Sequence, residues 1–183
     1  AHLKGRAIMR EPIIQADQNL LLNGDFSEEL NHWKKGSLNP GSAAVMADFH
    51  GAEYINYLRA ARGSSVFQSF LAPKSISPHV RYCLSFLYES MHTRAGTLRV
   101  TVVETGLQQD IDIPAPPAQA IEQKQHLLAQ GQPFDLNLTP STSTLNLELT
   151  AGQTLRVEVI SPENDAWDLV SEIRVARIEL LLH

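Results

Sequence analysis

From Arg81 to Ser90 the chain reads RYCLSFLYES. Tyr82, Leu84, Phe86 and Tyr88 fall in one phase, and Arg81, Cys83, Ser85, Leu87 and Glu89 in the other. Strand side chains alternate between faces, so this separation predicts a strand with one face in a core. The pattern recurs along the chain. Thr97 to Glu104 sets Leu98, Val100 and Val102 against Arg99, Thr101 and Val103, and Ser64 to Pro73 sets Val66, Gln68 and Phe70 against Phe67, Ser69 and Leu71. Ala43 to Phe49, Glu53 to Leu58, Phe134 to Leu138, Leu145 to Leu149, Leu155 to Ile160 and Ile173 to Leu182 complete the expected strands. Many short strands divided by Gly, Pro, Asn and Ser predict an all-β antiparallel sandwich rather than an α/β sheet.

The interruptions carry information too. In the last strand Ile173 and Val175 lie in one phase, but Ile178, Leu180 and Leu182 lie in the other. A bulge near Ala176-Arg177 reconciles them, and so does burial on both faces. Ala151-Gly152-Gln153 is a turn signal expected to join the two strands around it as a hairpin. DIDIPAPP, Asp110 to Pro117, ends a strand because proline cannot donate into a ladder. The following AQAIEQKQHLLAQG reads as a short helix with Pro117 at its first turn and Gly131 as its cap; an extended arm is the competing reading. There is no internal repeat.

At 183 residues and 43% hydrophobic composition, the chain has material for one domain with a substantial core. Residues 1–18 have mixed charge and no clean period, and read as a leader or linker before a domain over 19–183. The net charge of −5, with no basic run, argues against nucleic acid, which needs a positive stripe to neutralise phosphates. No apolar run approaches the roughly 20 residues of a membrane helix. The start at Ala1, without a signal peptide, is expected of a processed protein or of a piece of a longer one. Cys83 is the only cysteine, which excludes an internal disulfide and any Cys-based zinc site.

Asn19 to Trp33, NLLLNGDFSEELNHW, reads as a strand, a tight turn at Asn23-Gly24-Asp25 and a buried aromatic, with Gly24 supplying backbone freedom. These residues resemble the opening of the galactose-binding-like jelly-roll domains that include many bacterial carbohydrate-binding modules, and the similar modules of insecticidal crystal protoxins. SVFQSF (Ser65 to Phe70) resembles the family's v-y-Q-t-f strand, HVRYCLSFLYES (His79 to Ser90) its t-Y-t-l-S-F-y-a strand, and LRVTVV (Leu98 to Val103) the strand that follows. Pro78, Arg81 and Tyr82 match the P-x-x-R-Y opening of the protoxin modules. The resemblance implies a jelly-roll β-sandwich. It also implies a structural calcium held between the opening turn and two Asp residues of the last strand. Ala176 and Arg177 stand at those two positions here, so Asp25 is expected to cap a turn, with Glu28 and Glu29 solvated and no metal bound.

Signals for catalysis are few. The seven His residues form no H-x-H or H-x-x-x-H pair, and G-x-S-x-G is absent. Asp110 and Asp112 share a strand face, where solvation is the ordinary role and paired acid–base work the alternative. Asn137-Leu138-Thr139 fits a glycosylation acceptor only in a eukaryotic secretory context.

A sugar site needs an aromatic platform and fixed polar groups. Trp33 is expected in the core; Trp167, in a polar loop, either packs there or meets a ligand. In jelly-roll relatives the ligand often lies on the concave outer face of one sheet. Applied here, that face would combine the outer phase of Arg81–Glu89 with neighbouring strands. The ligand-binding candidates are therefore Tyr54, Asn56, Phe67, Ser69, Glu89, Arg99, Thr101 and Trp167. Leu87 and Val103 on that face suit a covered surface, with the helical stretch after Pro117 or residues 1–18 as the cover.

The expected function is a non-catalytic carbohydrate-binding module of a larger bacterial protein, secreted or at the cell surface. The alternative is a protein-interaction or assembly domain on the same sandwich. The partner is a glycan or a protein, and no cofactor is expected. A hydrolase or lyase is the third and weakest reading.

Overall fold

The computed structural model describes residues 18–36, 43–131, 136–163 and 171–183. Trp167, Phe134 and residues 1–17 of the expected leader lie outside the described residues. In chain order the elements are β1 (Lys34–Lys35), β2 (Ala43–His50), β3 (Glu53–Ala61), β4 (Ser65–Leu71), β5 (Tyr82–Ser90), β6 (Gly96–Val102) and β7 (Gln108–Ile113). A helix, α1 (Ala118–Ala129), precedes β8 (Thr139–Thr144), β9 (Thr154–Ile160) and β10 (Glu172–Leu182).

The strands form two five-stranded antiparallel sheets in the orders β1-β4-β9-β6-β7 and β2-β3-β10-β5-β8. This is the all-β jelly-roll sandwich expected from the sequence. The inner faces of β5 and β6 are the apolar phases read from the sequence. Tyr82, Leu84 and Phe86 of β5 meet Leu98, Val100 and Val102 of β6 and Leu155, Val157 and Val159 of β9 in one core. Leu58, Leu84, Leu98, Leu155 and Leu180 are wholly removed from water, and each such side chain contributes about 1.5–3 kcal/mol.

The phase change in β10 is a bulge. Pairing with β5 shifts register between Ala176 and Glu179, and Arg177 takes a left-handed φ of 50°. Ile173 and Val175 before it, and Ile178, Leu180 and Leu182 after it, all reach the same core. Of the two readings of the segment after Pro117, the helix is the one found.

Three strand expectations are corrected. Residues 145–149 are not a strand; the partner of β5 is the preceding TPSTST, β8. A Ser/Thr-rich edge strand with no buried face carries no alternation, so periodicity passes over it. Leu145 and Leu149 still reach the core, but from irregular backbone. Ala151-Gly152-Gln153 therefore turns the chain, with Gly152 at φ 89°, without closing a hairpin. Leu136 to Leu138 is not a strand either; it lies over the outer face of the β2-β3-β10-β5-β8 sheet.

The opening stretch contains the turn and buried Trp33 but no strand at Leu20 to Leu22. Asn23, not Gly24, adopts the left-handed conformation, φ 52°. Its amide organises the turn: Oδ1 accepts from the Glu28 N–H at 3.0 Å, and Nδ2 donates to the carbonyls of Glu29 and Asn31 at 3.0 and 2.8 Å. Gly24 is needed for another reason. Its backbone presses on β10, where a Cβ would lie 2.1 Å from the Ile178 carbonyl oxygen.

Candidate functional site

Cross-strand partners share a face, so the registers give the outer surface of the β1-β4-β9-β6-β7 sheet directly. One row runs Lys34, Phe67, Glu158, Arg99, Asp110 across all five strands. The next runs Ser69, Arg156, Thr101, Gln108. A groove of about 690 Å³ opens along this face, floored by Phe67, Arg99, Arg156 and Glu158 and walled at one end by Gly36 and Ser161.

Planar polar groups hold the floor in place. Arg99 donates two parallel bonds to Asp110, Nε to Oδ1 at 2.8 Å and Nη2 to Oδ2 at 3.1 Å. That fork geometry restricts both side chains. It holds the Asp110 carboxyl below its ordinary range and raises the Arg99 guanidinium. Arg156 donates to Glu158 at 3.2 Å, and its Cζ lies 3.7 Å from the centroid of the Phe67 ring. Two polar atoms at the groove, Arg156 Nε and Ser161 Oγ, are buried without a hydrogen-bond partner among the described residues. Such atoms are uncommon in finished interiors.

Four of the eight sequence candidates, Phe67, Ser69, Arg99 and Thr101, are brought together here. Tyr54, Asn56 and Glu89 belong to the other sheet, and Trp167 lies outside the described residues. The expected groove placed Arg81–Ser90 beside Ser64–Pro73 and Thr97–Glu104. Between these segments the chain instead changes layer at each step, from β4 to β5 and back to β6. Alternation marks which face of a strand is buried and carries no signal for which sheet the strand joins. Arg156 and Glu158 were missed for the same reason: the segment that places β9 between β4 and β6 is remote in sequence.

The outer phase of β5 has a structural role. Ile55, Tyr57 and Ala176, with Leu87 against them, pack under Leu136 and Leu138. Glu89 is buried below this cover. It accepts from the Asn137 N–H at 2.7 Å and Arg174 Nη1 at 3.2 Å, and Lys124 of α1 stands 3.4 Å away. Glu172 completes the network, accepting from Arg174 at 3.0 Å and Arg59 at 3.2 Å. Burial works against the Arg174 charge, but Glu172 and Glu89 outweigh it, so its pKa is raised. The cover over Leu87 and Glu89 is formed by Leu136, Asn137 and Leu138, beyond the helical stretch expected to supply it; α1 contributes Lys124 beside Glu89. Val103 is uncovered and 52% exposed.

Asp25 caps its turn, accepting from the Ser27 N–H at 3.1 Å, a bond that lowers its pKa. Arg177 shares the cleft beside Asp25 and Glu28. A guanidinium at the place of a last-strand carboxylate repels a cation there. No group of three His, Cys, Asp or Glu among the described residues is arranged to hold a metal.

No protein-family model matches the chain, and no curated protein matches it in sequence. Solved structures do match in fold. A family 61 carbohydrate-binding module (TmCBM61) in complex with β-1,4-galactotriose superposes with a TM-score of 0.54 at 12% identity, over 91% of this chain and 99% of that one. A family 16 carbohydrate-binding module gives 0.51 at 9% identity, over 89% and 99%. A cyclase from Fischerella sp. TAU gives 0.52 at 11% identity, over 88% and 94%. The chain has the jelly-roll sandwich fold of carbohydrate-binding modules. At these identities the likeness is one of fold, and the cyclase carries the same fold into an enzyme.

Proposed function

We propose that this chain is a non-catalytic carbohydrate-binding module of a larger bacterial protein, secreted or at the cell surface, and that it holds a glycan along the outer face of the β1-β4-β9-β6-β7 sheet. The observation that carries the reading is the groove floor, where Arg99–Asp110 and Arg156–Glu158 present planar donors and acceptors that are already oriented. Charges paired in this way suit hydroxyl groups better than a charged ligand. Ser69 and Thr101 extend the polar surface along the next row. Asp110, held ionised by Arg99, is unsuited to donate a proton at neutral pH. The fold shared with carbohydrate-binding modules supports the same reading.

A glycan array that includes β-1,4-galactotriose, followed by calorimetry on the retained sugar, tests it. Arg99→Ala and Phe67→Ala are each expected to weaken binding about tenfold or more. An array that retains no sugar overturns the proposal.

One observation favours a second reading, a protein-interaction domain on the same sandwich. The face of Phe67 is capped by Arg156, so this surface has less free aromatic area than a stacking platform. Light scattering that finds a stable assembly through this face, lost in Arg156→Ala, would support the second reading over the first.

A further inference from the structure

Tyr54 and Asn56, which the groove leaves aside, sit where three parts of the fold meet: the β2–β3 hairpin, the opening turn and the β10 bulge. Phe49 and Tyr54 pair across the hairpin with ring centroids 5.0 Å apart in a T-shaped arrangement, yet remain 56% and 62% exposed. Two large rings in contact and open to water offer an apolar aromatic surface to a ligand. Beside them a cleft of about 130 Å³ is lined by Asp25, Tyr54, Ile55, Asn56 and Arg177. It adjoins a wider cleft of about 520 Å³ through Asp25 and Arg177, where Asn23, Glu28 and Glu179 add further polar groups.

Arg177 is placed there by strain. A left-handed φ of 50° is unfavourable for an arginine and persists only when the surroundings impose it. The flanking register shift and the Ile178 N–H bonded to the Gly24 carbonyl at 2.9 Å impose it here. A bulge of this kind re-aims a side chain, and this one sets the guanidinium against Glu53.

We propose that this cleft is a second glycan subsite, separate from the sheet groove, which takes a neutral sugar ring with its C–H face on Tyr54 and its hydroxyls on Asn56, Asp25 and Arg177. The small cleft and the wider one share Asp25 and Arg177, so a ring placed on Tyr54 has polar groups on both sides within reach. The charge selects a neutral ligand. Arg177 is matched by Glu53, while Asp25, Glu28 and Glu179 leave the cleft with an acidic excess that repels a carboxylate or phosphate.

The test is a backbone-amide NMR titration with the methyl glycosides of galactose, glucose, mannose, fucose and xylose, with glucuronate and galacturonate in parallel. At least one neutral glycoside is expected to shift Tyr54, Asn56 and Asp25. Tyr54→Ala should weaken that binding about tenfold, whereas Tyr54→Phe, which keeps the ring, should retain most of it. Arg99→Ala, in the other groove, should leave it unchanged, so failure of either site reads separately. Shifts from none of the neutral probes, binding that survives Tyr54→Ala in a protein of unchanged melting temperature, or stronger binding of the uronates overturns the proposal.

Discussion

The side-chain amide of Gln68 pairs with the main chain of Leu22 as a second strand would: Oε1 accepts from the Leu22 N–H and Nε2 donates to its carbonyl, both at 2.8 Å. Gln68 points into the sandwich among apolar neighbours, where an amide is costly unless both ends are satisfied. Among the described residues no strand pairs with Leu22. The glutamine therefore fastens the opening turn to β4, leaving Leu21, Phe26 and Trp33 to seal that end of the core.

Gln68→Ala removes both bonds at once and leaves the Leu22 groups to whatever water reaches them. A loss of about 1–3 kcal/mol is expected, read from the midpoint of urea unfolding. An unchanged midpoint would mean that the turn is held by its apolar contacts alone.

Gly24→Ala tests the backbone contact between the opening turn and β10. With a Cβ only 2.1 Å from the Ile178 carbonyl oxygen, one of two main-chain segments must move. The expected cost is about 1–3 kcal/mol or more, seen as a lower melting temperature. Asn23→Gly, which keeps the left-handed φ but loses the side-chain bonds to Glu28, Glu29 and Asn31, should also destabilise.

Glu89→Ala withdraws one of the two carboxylates facing Arg174 and the acceptor of the Asn137 N–H. Breaking one member of a buried ionic network costs about 3–5 kcal/mol. Faster hydrogen exchange at Asn137 and Leu138 would show that the cover over Ile55 and Tyr57 loosens first. If global stability falls without that local change, the carboxylate supports the sheet and not its cover.

Asp110 should titrate below an ordinary carboxylate in the intact protein and move back up in Arg99→Ala. Because the folded state holds the carboxyl ionised, the pair stabilises the fold above the unfolded pKa of Asp110. That contribution fades as pH falls through the lower folded pKa. Both side chains are more than a third exposed or close to it, so the effect on stability is about 0–1 kcal/mol. Carboxyl-carbon NMR titration of the two proteins checks the shift directly.

Much of the architecture was legible in single segments. Periodicity located β4, β5, β6 and β9 and the core faces of β5 and β6, and the phase change at Ala176-Arg177 marked the bulge. Those features follow from backbone geometry, in which side chains alternate wherever one face is dry. β8 escaped because a polar edge strand has no dry face to enforce alternation.

Phe67 and Arg99 share one outer surface with β9 between their strands, whereas Glu89, equally outward on its own strand, lies beneath Asn137 on the opposite layer. Local sequence determined which side chains leave the core, because that depends only on position along a strand. Which of them meet was decided by the order in which remote strands hydrogen-bond, above all by β9 entering between β4 and β6. No local pattern encodes that order, since it is a balance of packing across the whole sandwich.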